Sequence, residues 1–266
     1  MVTGKSLSRG AILFSTILGA LANFVWLRAR LGRRAIRTER SQWLHKWCKV
    51  GLRRLDIGLV VYGTLPPSGL VVSNHLSYLD ILLFSAAQPC IFVSKSEVRS
   101  WPVFGWLASL GGTIYVDRQR RSETPRVHRE MEEALSERIP VILFPEGTSS
   151  DGSLVLPFRS ALFEPVVELN LDVTPAHVSY TLDEGSVATD VCYWGDMTLI
   201  PHLFNMLSKG KITGRIRFSS RPATYSNRKE AATLARAEVV TLAAEAARED
   251  FSVAEVAAAC SRLQMG

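Results

Sequence analysis

Ser73-Asn74-His75-Leu76-Ser77-Tyr78-Leu79-Asp80 follows the apolar run Leu70-Val71-Val72 and precedes Ile81 to Phe84, an order that reads as strand, turn and helix. Polar residues gathered in such a turn stand where a rigid scaffold presents side chains to a ligand. Neutral imidazole can take a proton from a hydroxyl, which makes His75 the candidate base, and a carboxylate beside it would fix its tautomer. Asp80 is the candidate carboxylate. Positions five apart on a continuous helix point about 140° away from each other, so the pair meets only if the helix begins after His75. Ser77 supplies that beginning, because a Ser cap with an acidic residue three positions later marks a helix start. The same residues carry a plainer reading, in which Asp80 closes a capping box and His75 is an ordinary turn residue.

On either side of this stretch, short apolar runs alternate with helical segments. Val60 to Gly63, Leu70 to Val72, Cys90 to Val93, Thr113 to Val116 and Val141 to Phe144 read as strands, with helices between them, one around Thr124 to Arg138. This order predicts an α/β fold. Directly after Phe144 stands Pro145-Glu146-Gly147-Thr148-Ser149-Ser150-Asp151-Gly152. Glu146, Gly147 and the Thr148 hydroxyl form a candidate polar floor for a polyol or phosphate, since ligands of open α/β sheets gather at strand ends. A simple glycine turn accounts for the same residues. A helix from Ala161 to Leu169, a strand and turn at Val173 to Ala176, and a strand at Gly214 to Phe218 follow. The alanine-rich tail predicts two helices, Lys229 to Arg248 and a second capped by Ser252.

The chain has 266 residues, 47% of them apolar, a formal charge of +6 and a pI near 9.3, enough for one main domain and suited to an acidic partner surface. Cys48, Cys90, Cys192 and Cys260 are far apart, so the spacing indicates neither a zinc site nor a disulfide framework, and a reducing compartment fits. Ala11 to Leu27 is almost wholly apolar and reads as a membrane anchor helix, either crossing as a slightly short span or entering one leaflet and returning. Arg28, Arg30, Arg33, Arg34, Arg37 and Arg40 follow it, which expects the rest of the chain on the cytoplasmic face. Between Gln42 and Leu59, Trp43, Leu44, Trp47, Val50, Leu52 and Leu55 recur at helical spacing among Lys and Arg, as an interfacial amphipathic helix requires; a surface helix that packs this stripe on the domain is the plainer reading. The basic cluster beside this anchor is explained by anionic headgroups, so no nucleic acid is expected.

Four motifs in order are more specific than any one of them. Asn-His-x-x-x-x-Asp at 74 to 80, Gly-x-Ile-x-Val-Asp-Arg at 112 to 118, Phe-Pro-Glu-Gly-Thr-Ser at 144 to 149 and Val-Thr-Pro at 173 to 175 resemble those of the glycerolipid acyltransferase family, over about residues 60 to 220. The resemblance implies a single domain with a mixed sheet flanked by helices. It makes His75 the base for the acceptor hydroxyl and Asp80 its orienting partner, and gives Arg118, Glu146 and Gly147 to the acceptor headgroup, with Lys95 and Arg159 as further basic candidates. It implies acyl-CoA or acyl-carrier protein as donor, lipid partners, no cofactor and no metal. The expected organisation is an anchor and basic flank at 1 to 38, an interfacial helix at 39 to 59, the acyltransferase core at 60 to 225 and C-terminal helices at 226 to 266.

Ser149 departs from the family pattern. Many members with a phosphate-bearing acceptor carry Arg after Glu-Gly-Thr, whose fork matches a phosphate as Ser cannot. The stretch through Ala161-Leu162, with Trp194-Gly195-Asp196-Met197 and His202, looks like the branch that includes lyso-ornithine lipid acyltransferases. Expectation rests first on acylation of 1-acyl-sn-glycerol-3-phosphate to phosphatidate, on the breadth of the family. A lyso-ornithine lipid or other lysophospholipid is the alternative acceptor, and a non-catalytic lipid-binding relative the outside one. No Gly-x-Ser-x-Gly elbow is present, which disfavours a serine hydrolase.

Overall fold

The computed structural model describes residues 3–31, 37–101, 103–116 and 124–263. Its helices are α1 (Gly4–Leu31), α2 (Arg37–Arg54), α3 (Leu79–Ala87), α4 (Phe104–Leu110), α5 (Thr124–Ser136), α6 (Glu164–Glu168), α7 (Val187–Asp190), α8 (Leu199–Ser208) and α9 (Arg228–Leu263). Its strands are β1 (Ile57–Tyr62), β2 (Leu70–Ser73), β3 (Ile91–Lys95), β4 (Ile114–Val116), β5 (Val141–Leu143), β6 (Val173–Leu182) and β7 (Ile212–Phe218). They form one sheet in the order β1-β7-β6-β2-β5-β3-β4. Strands β6, β2, β5, β3 and β4 run parallel, β7 pairs antiparallel with β6, and β1 pairs parallel with β7. The expected mixed sheet flanked by helices is therefore present.

Parallel strands covered on both faces need continuous apolar sequence, and all four residues of β2 are buried. Alternate residues feed two cores. Val71, Phe92 and Ile142 pack with α3 and α8, while Leu70, Val72, Val141 and Leu143 pack with α5 and α9. Gly214 in β7 leaves room for α3 on the first face, because a Cβ there would lie 2.2 Å from Leu83 Cδ1.

Helix α1 is long and apolar enough to cross a membrane, with mean hydropathy 1.8 over its most apolar 18 residues. At about 1.5 Å per residue its 28 residues reach roughly 42 Å, further than the Ala11 to Leu27 run alone. One side rests on the domain. Arg9 donates to the carbonyl of Lys209, and Ala20 and Phe24 are buried against Trp43. The other side exposes Leu7, Phe14, Leu18, Val25 and Trp26, an apolar stripe suited to lipid.

Four boundaries differ from expectation. The Trp43 and Trp47 stripe of α2 faces α1 rather than outward: the Trp43 indole donates to Ala20 O at 3.1 Å and the Trp47 indole to Asn23 Oδ1 at 2.9 Å. A neighbouring helix offers both the apolar surface and the acceptors that a buried indole needs. The segment 39 to 59 is not all helical, since α2 ends at Arg54 and β1 starts at Ile57. The helix from Ala161 to Leu169 is a 3-10 turn over Ser160–Phe163 followed by α6, because Pro165 at the start of α6 has no N–H to continue the turn before it. The tail is one helix of 36 residues, with neither Gly nor Pro to break it near Ser252, and its Ala231, Ala232 and Ala235 belong to the core.

The close approach at Gly214 has a measurable consequence. Gly214→Ala should cost about 1–3 kcal/mol through overpacking, and Leu83→Ala about 2–5 kcal/mol through a cavity. The double variant should lose less than the two together, because the new methyl occupies space that Leu83 vacates. Denaturant titration of the detergent-solubilised protein checks this, and strict additivity would refute the shared space.

Candidate active site

The carboxyl ends of β2, β5 and β3 lie side by side on one edge of the sheet, and they deliver His75, Glu146 and Lys95 to the same region. His75 lies in the turn before α3, outside the helix, as the pairing with Asp80 requires. Its Nδ1 is 2.7 Å from Asp80 Oδ2, and its ring stacks on Phe144 at a centroid separation of 4.2 Å. Donation from Nδ1–H to the carboxylate leaves Nε2 as the basic nitrogen, and Nε2 has no protein partner among the described residues. The His75 side chain is 21% exposed while that of Asp80 is fully buried.

Asp80 is held by more than His75. Its Oδ2 also accepts the backbone N–H groups of Leu76 at 2.7 Å and Ser77 at 3.1 Å, and its Oδ1 accepts the Tyr180 hydroxyl. Burial and the adjacent carboxylate push the Tyr180 phenol well above its ordinary range, so it stays a donor. The capping-box reading is thus half right: Asp80 reaches back to the Ser77 N–H, but the same oxygen serves the imidazole. Tyr180 carries no motif, and its signal was indirect. Alternation along β6 puts it on the face of Ala176 and Val178, toward α3, where a buried phenol needs a partner.

Glu146 is 3% exposed, and each of its oxygens accepts one backbone N–H. Oε2 accepts the His75 N–H at 3.1 Å and Oε1 accepts the Leu156 N–H at 2.9 Å. These two bonds tie the carboxylate, expected at the acceptor headgroup, into the turn that carries His75. Burial raises its pKa to about 7 against those two stabilising bonds. Gly147 has φ +76°, the left-handed conformation that favours glycine, and its N–H donates to Phe144 O. Thr148 is exposed beside it, and Arg159, also exposed, joins Pro145 through a backbone bond of 2.9 Å. Lys95 ends β3, half-buried. Arg118 lies outside the described residues.

Three contacts extend the site beyond the motifs. The Asn74 side chain donates to Val178 O and accepts from Val178 N, both at 2.9 Å, prolonging the β2–β6 ladder with an amide that mimics backbone. Ser149 donates to Tyr193 O, and Tyr193 N in turn donates to Leu76 O at 2.8 Å. His202 is buried with Nδ1 3.0 Å from the Tyr78 hydroxyl, so this branch feature abuts the His75 turn. Cys48, Cys90 and Cys192 are free and buried. Among the described residues no cluster of three or more His, Cys, Asp or Glu is placed to hold a metal ion.

With this geometry in view, similarity to known proteins is specific. The Acyltransferase family profile matches residues 60–179. The lyso-ornithine lipid O-acyltransferase of Brucella abortus is 39% identical over 161 residues, spanning 56% of this chain and 60% of that protein. Its counterpart in Rhodobacter capsulatus is 33% identical over 214 residues, covering 77% of this chain and 76% of that protein. The 1-acyl-sn-glycerol-3-phosphate acyltransferase of Neisseria meningitidis is 36% identical over 170 residues, 63% of this chain and 66% of that protein. The crystal structure of the 1-acyl-sn-glycerophosphate acyltransferase of Thermotoga maritima shares the fold, with a TM-score of 0.64, 20% identity, and coverage of 91% of this chain and 97% of that one. This chain therefore belongs to the glycerolipid acyltransferase family, whose members include enzymes named for lyso-ornithine lipid and for 1-acyl-sn-glycerol-3-phosphate.

Proposed function

We propose that the protein transfers an acyl chain from a thioester, acyl-CoA or acyl-carrier protein, to the free hydroxyl of a lyso-lipid, with a lyso-ornithine lipid as acceptor. The observation that carries the reaction is the His75–Asp80 pair, its Nδ1 anchored at 2.7 Å and its Nε2 unoccupied by protein. In this reading Nε2 takes the hydroxyl proton as the oxygen attacks the thioester carbonyl. The tetrahedral intermediate then expels the thiolate, a C–O bond having formed and the C–S bond breaking, and the imidazolium returns the proton to sulfur. Tyr180 and the amides of Leu76 and Ser77 position Asp80, and Glu146 positions His75. The Arg-rich flank after α1 supports a cytoplasmic face for this chemistry, where both donors occur.

The acceptor reading reverses the order that the breadth of the family suggests. Ser149 stands where an Arg fork would meet a phosphate, and its hydroxyl is already committed to Tyr193 O. The Brucella and Rhodobacter relatives bear the lyso-ornithine name, which supports the same acceptor. The Neisseria relative keeps 1-acyl-sn-glycerol-3-phosphate as the second reading.

Three outcomes are expected. His75→Ala should lose ~10²-fold or more in acyl transfer while keeping the wild-type unfolding transition, measured with radiolabelled acyl-CoA and purified protein; near-normal turnover would refute the mechanism. Side-by-side assays should favour the lyso-ornithine lipid over 1-acyl-sn-glycerol-3-phosphate, and Ser149→Arg should lower its use by displacing the Tyr193 contact. A large preference for the phosphate-bearing acceptor would overturn the assignment. The third outcome concerns pH. The folded state holds the Glu146 proton up to about 7, against 4.5 for an ordinary carboxyl, so this group's contribution to stability is complete below about 4.5 and is lost as pH rises through about 7. Glu146→Gln removes that titration, so its melting temperature should fall less between about pH 5 and about pH 8 than that of the wild type. Equal falls would deny Glu146 this role.

A further inference from the structure

We infer that the cleft at the open edge of β4 binds a phosphoryl group, as a site separate from the His75 centre. The cleft encloses about 540 Å³, and three elements each send one guanidinium into it: Arg40 from α2, Arg99 from the 3-10 turn after β3, and Arg126 from α5. Among the described residues, one carboxylate, Glu130, lines it with them. It pairs with Arg126 at 2.6 Å, and Arg126 also donates to Tyr115 O at 2.8 Å. Arg40 is fixed by the carbonyls of Leu110, at 2.9 Å, and Ser109, which orient its fork without neutralising it. Arg99 lies over the Tyr115 ring at 5.9 Å and has no carboxylate partner among the described residues.

Among the described residues, three guanidiniums and one carboxylate line a space large enough for a ligand. Burial, with Arg37 and Arg28 nearby, lowers the pKa of Arg40, so its charge gains from an anion beside it. An anion with several acceptor oxygens stabilises charges gathered in this way, and planar guanidinium forks match phosphoryl oxygens in pairs. Thr113 adds a hydroxyl on the β4 side. The sheet order β2-β5-β3-β4 sets β4 three strand spacings from the strand that leads to His75, roughly 14 Å. A phosphoryl group held there is thus a handle on its ligand rather than a reacting group.

Two molecules carry such a handle to this protein: the nucleotide part of a CoA thioester, and an anionic phospholipid beside α1, whose Arg28 is near enough to act on Arg40. Binding without turnover separates them and does not depend on the proposed reaction. Full-length wild type, Arg99→Ala and Arg99→Lys in detergent micelles would be titrated with CoA against pantetheine, which lacks the phosphates, and with micellar phosphatidylglycerol against phosphatidylcholine. Arg99 makes no hydrogen bond that its loss would break among the described residues, so the fold should persist, as the unfolding transition would verify. The expected result is at least about tenfold weaker binding of CoA or of phosphatidylglycerol by Arg99→Ala, with Arg99→Lys between it and the wild type, while pantetheine and phosphatidylcholine are unaffected. Loss in the first arm identifies the donor nucleotide and loss in the second a lipid headgroup. Equal affinity of the wild type and Arg99→Ala in both arms overturns the site.

Discussion

Backbone groups of the His75–Leu76 turn make four hydrogen bonds, to three different parts of the chain. His75 N goes to Glu146, His75 O accepts from Ser150 N, Leu76 N goes to Asp80 and Leu76 O accepts from Tyr193 N. A buried turn cannot leave these groups unpaired, since each orphan would cost about 1–3 kcal/mol. The partners cannot be water here, because Leu76, Asp80 and Glu146 are all buried. The β5 end, the start of α3 and the loop before α8 must therefore converge on this turn, and the imidazole is aimed as a result.

The sheet makes that convergence possible. Parallel β2 and β5 place the His75 and Glu146 turns next to each other at one edge, and β6 on the other side of β2 brings Tyr180 beneath Asp80. Helix α9 braces the arrangement from the opposite face. Arg236 donates to the carbonyls of Val155 and Leu156, the latter being the residue whose N–H meets Glu146. The long alanine-rich tail thus reaches the site through two hydrogen-bond steps. Its small side chains let it lie against the sheet, while Arg236 supplies the polar link.

Sequence disclosed the strands, the α/β order and the His75–Asp80 pair because each is local: an apolar run, a cap signal, a spacing of five. It did not disclose the partners that depend on the sheet order. Tyr180 is separated from Asp80 by 100 residues, and Asn74 pairs with Val178 across 104, contacts that only the β2–β6 pairing creates. The amide partners of Glu146 were equally hidden, since a motif carboxylate at a strand end looks the same whether it faces solvent or two buried amides. The Trp43 and Trp47 stripe was likewise real in its periodicity. Its direction depended on where α1 lies, and periodicity alone cannot distinguish a lipid from a neighbouring helix as the apolar surface it meets.

Ser149 joins the questions of acceptor and base. In a site that grips phosphate through an Arg at this position, the headgroup contact and the support of the turn belong to different residues. Here the side chain at that position donates to Tyr193 O, and the N–H of the same Tyr193 holds Leu76. A substitution that refits position 149 for another headgroup therefore also releases Tyr193 from one side and loosens the clamp on the residue next to His75. On the proposed reading, in which position 149 meets the acceptor and His75 is the base, the two are coupled through one tyrosine backbone. Under that reading a change of acceptor calls for compensation in the segment Val191 to Trp194 as well as at position 149.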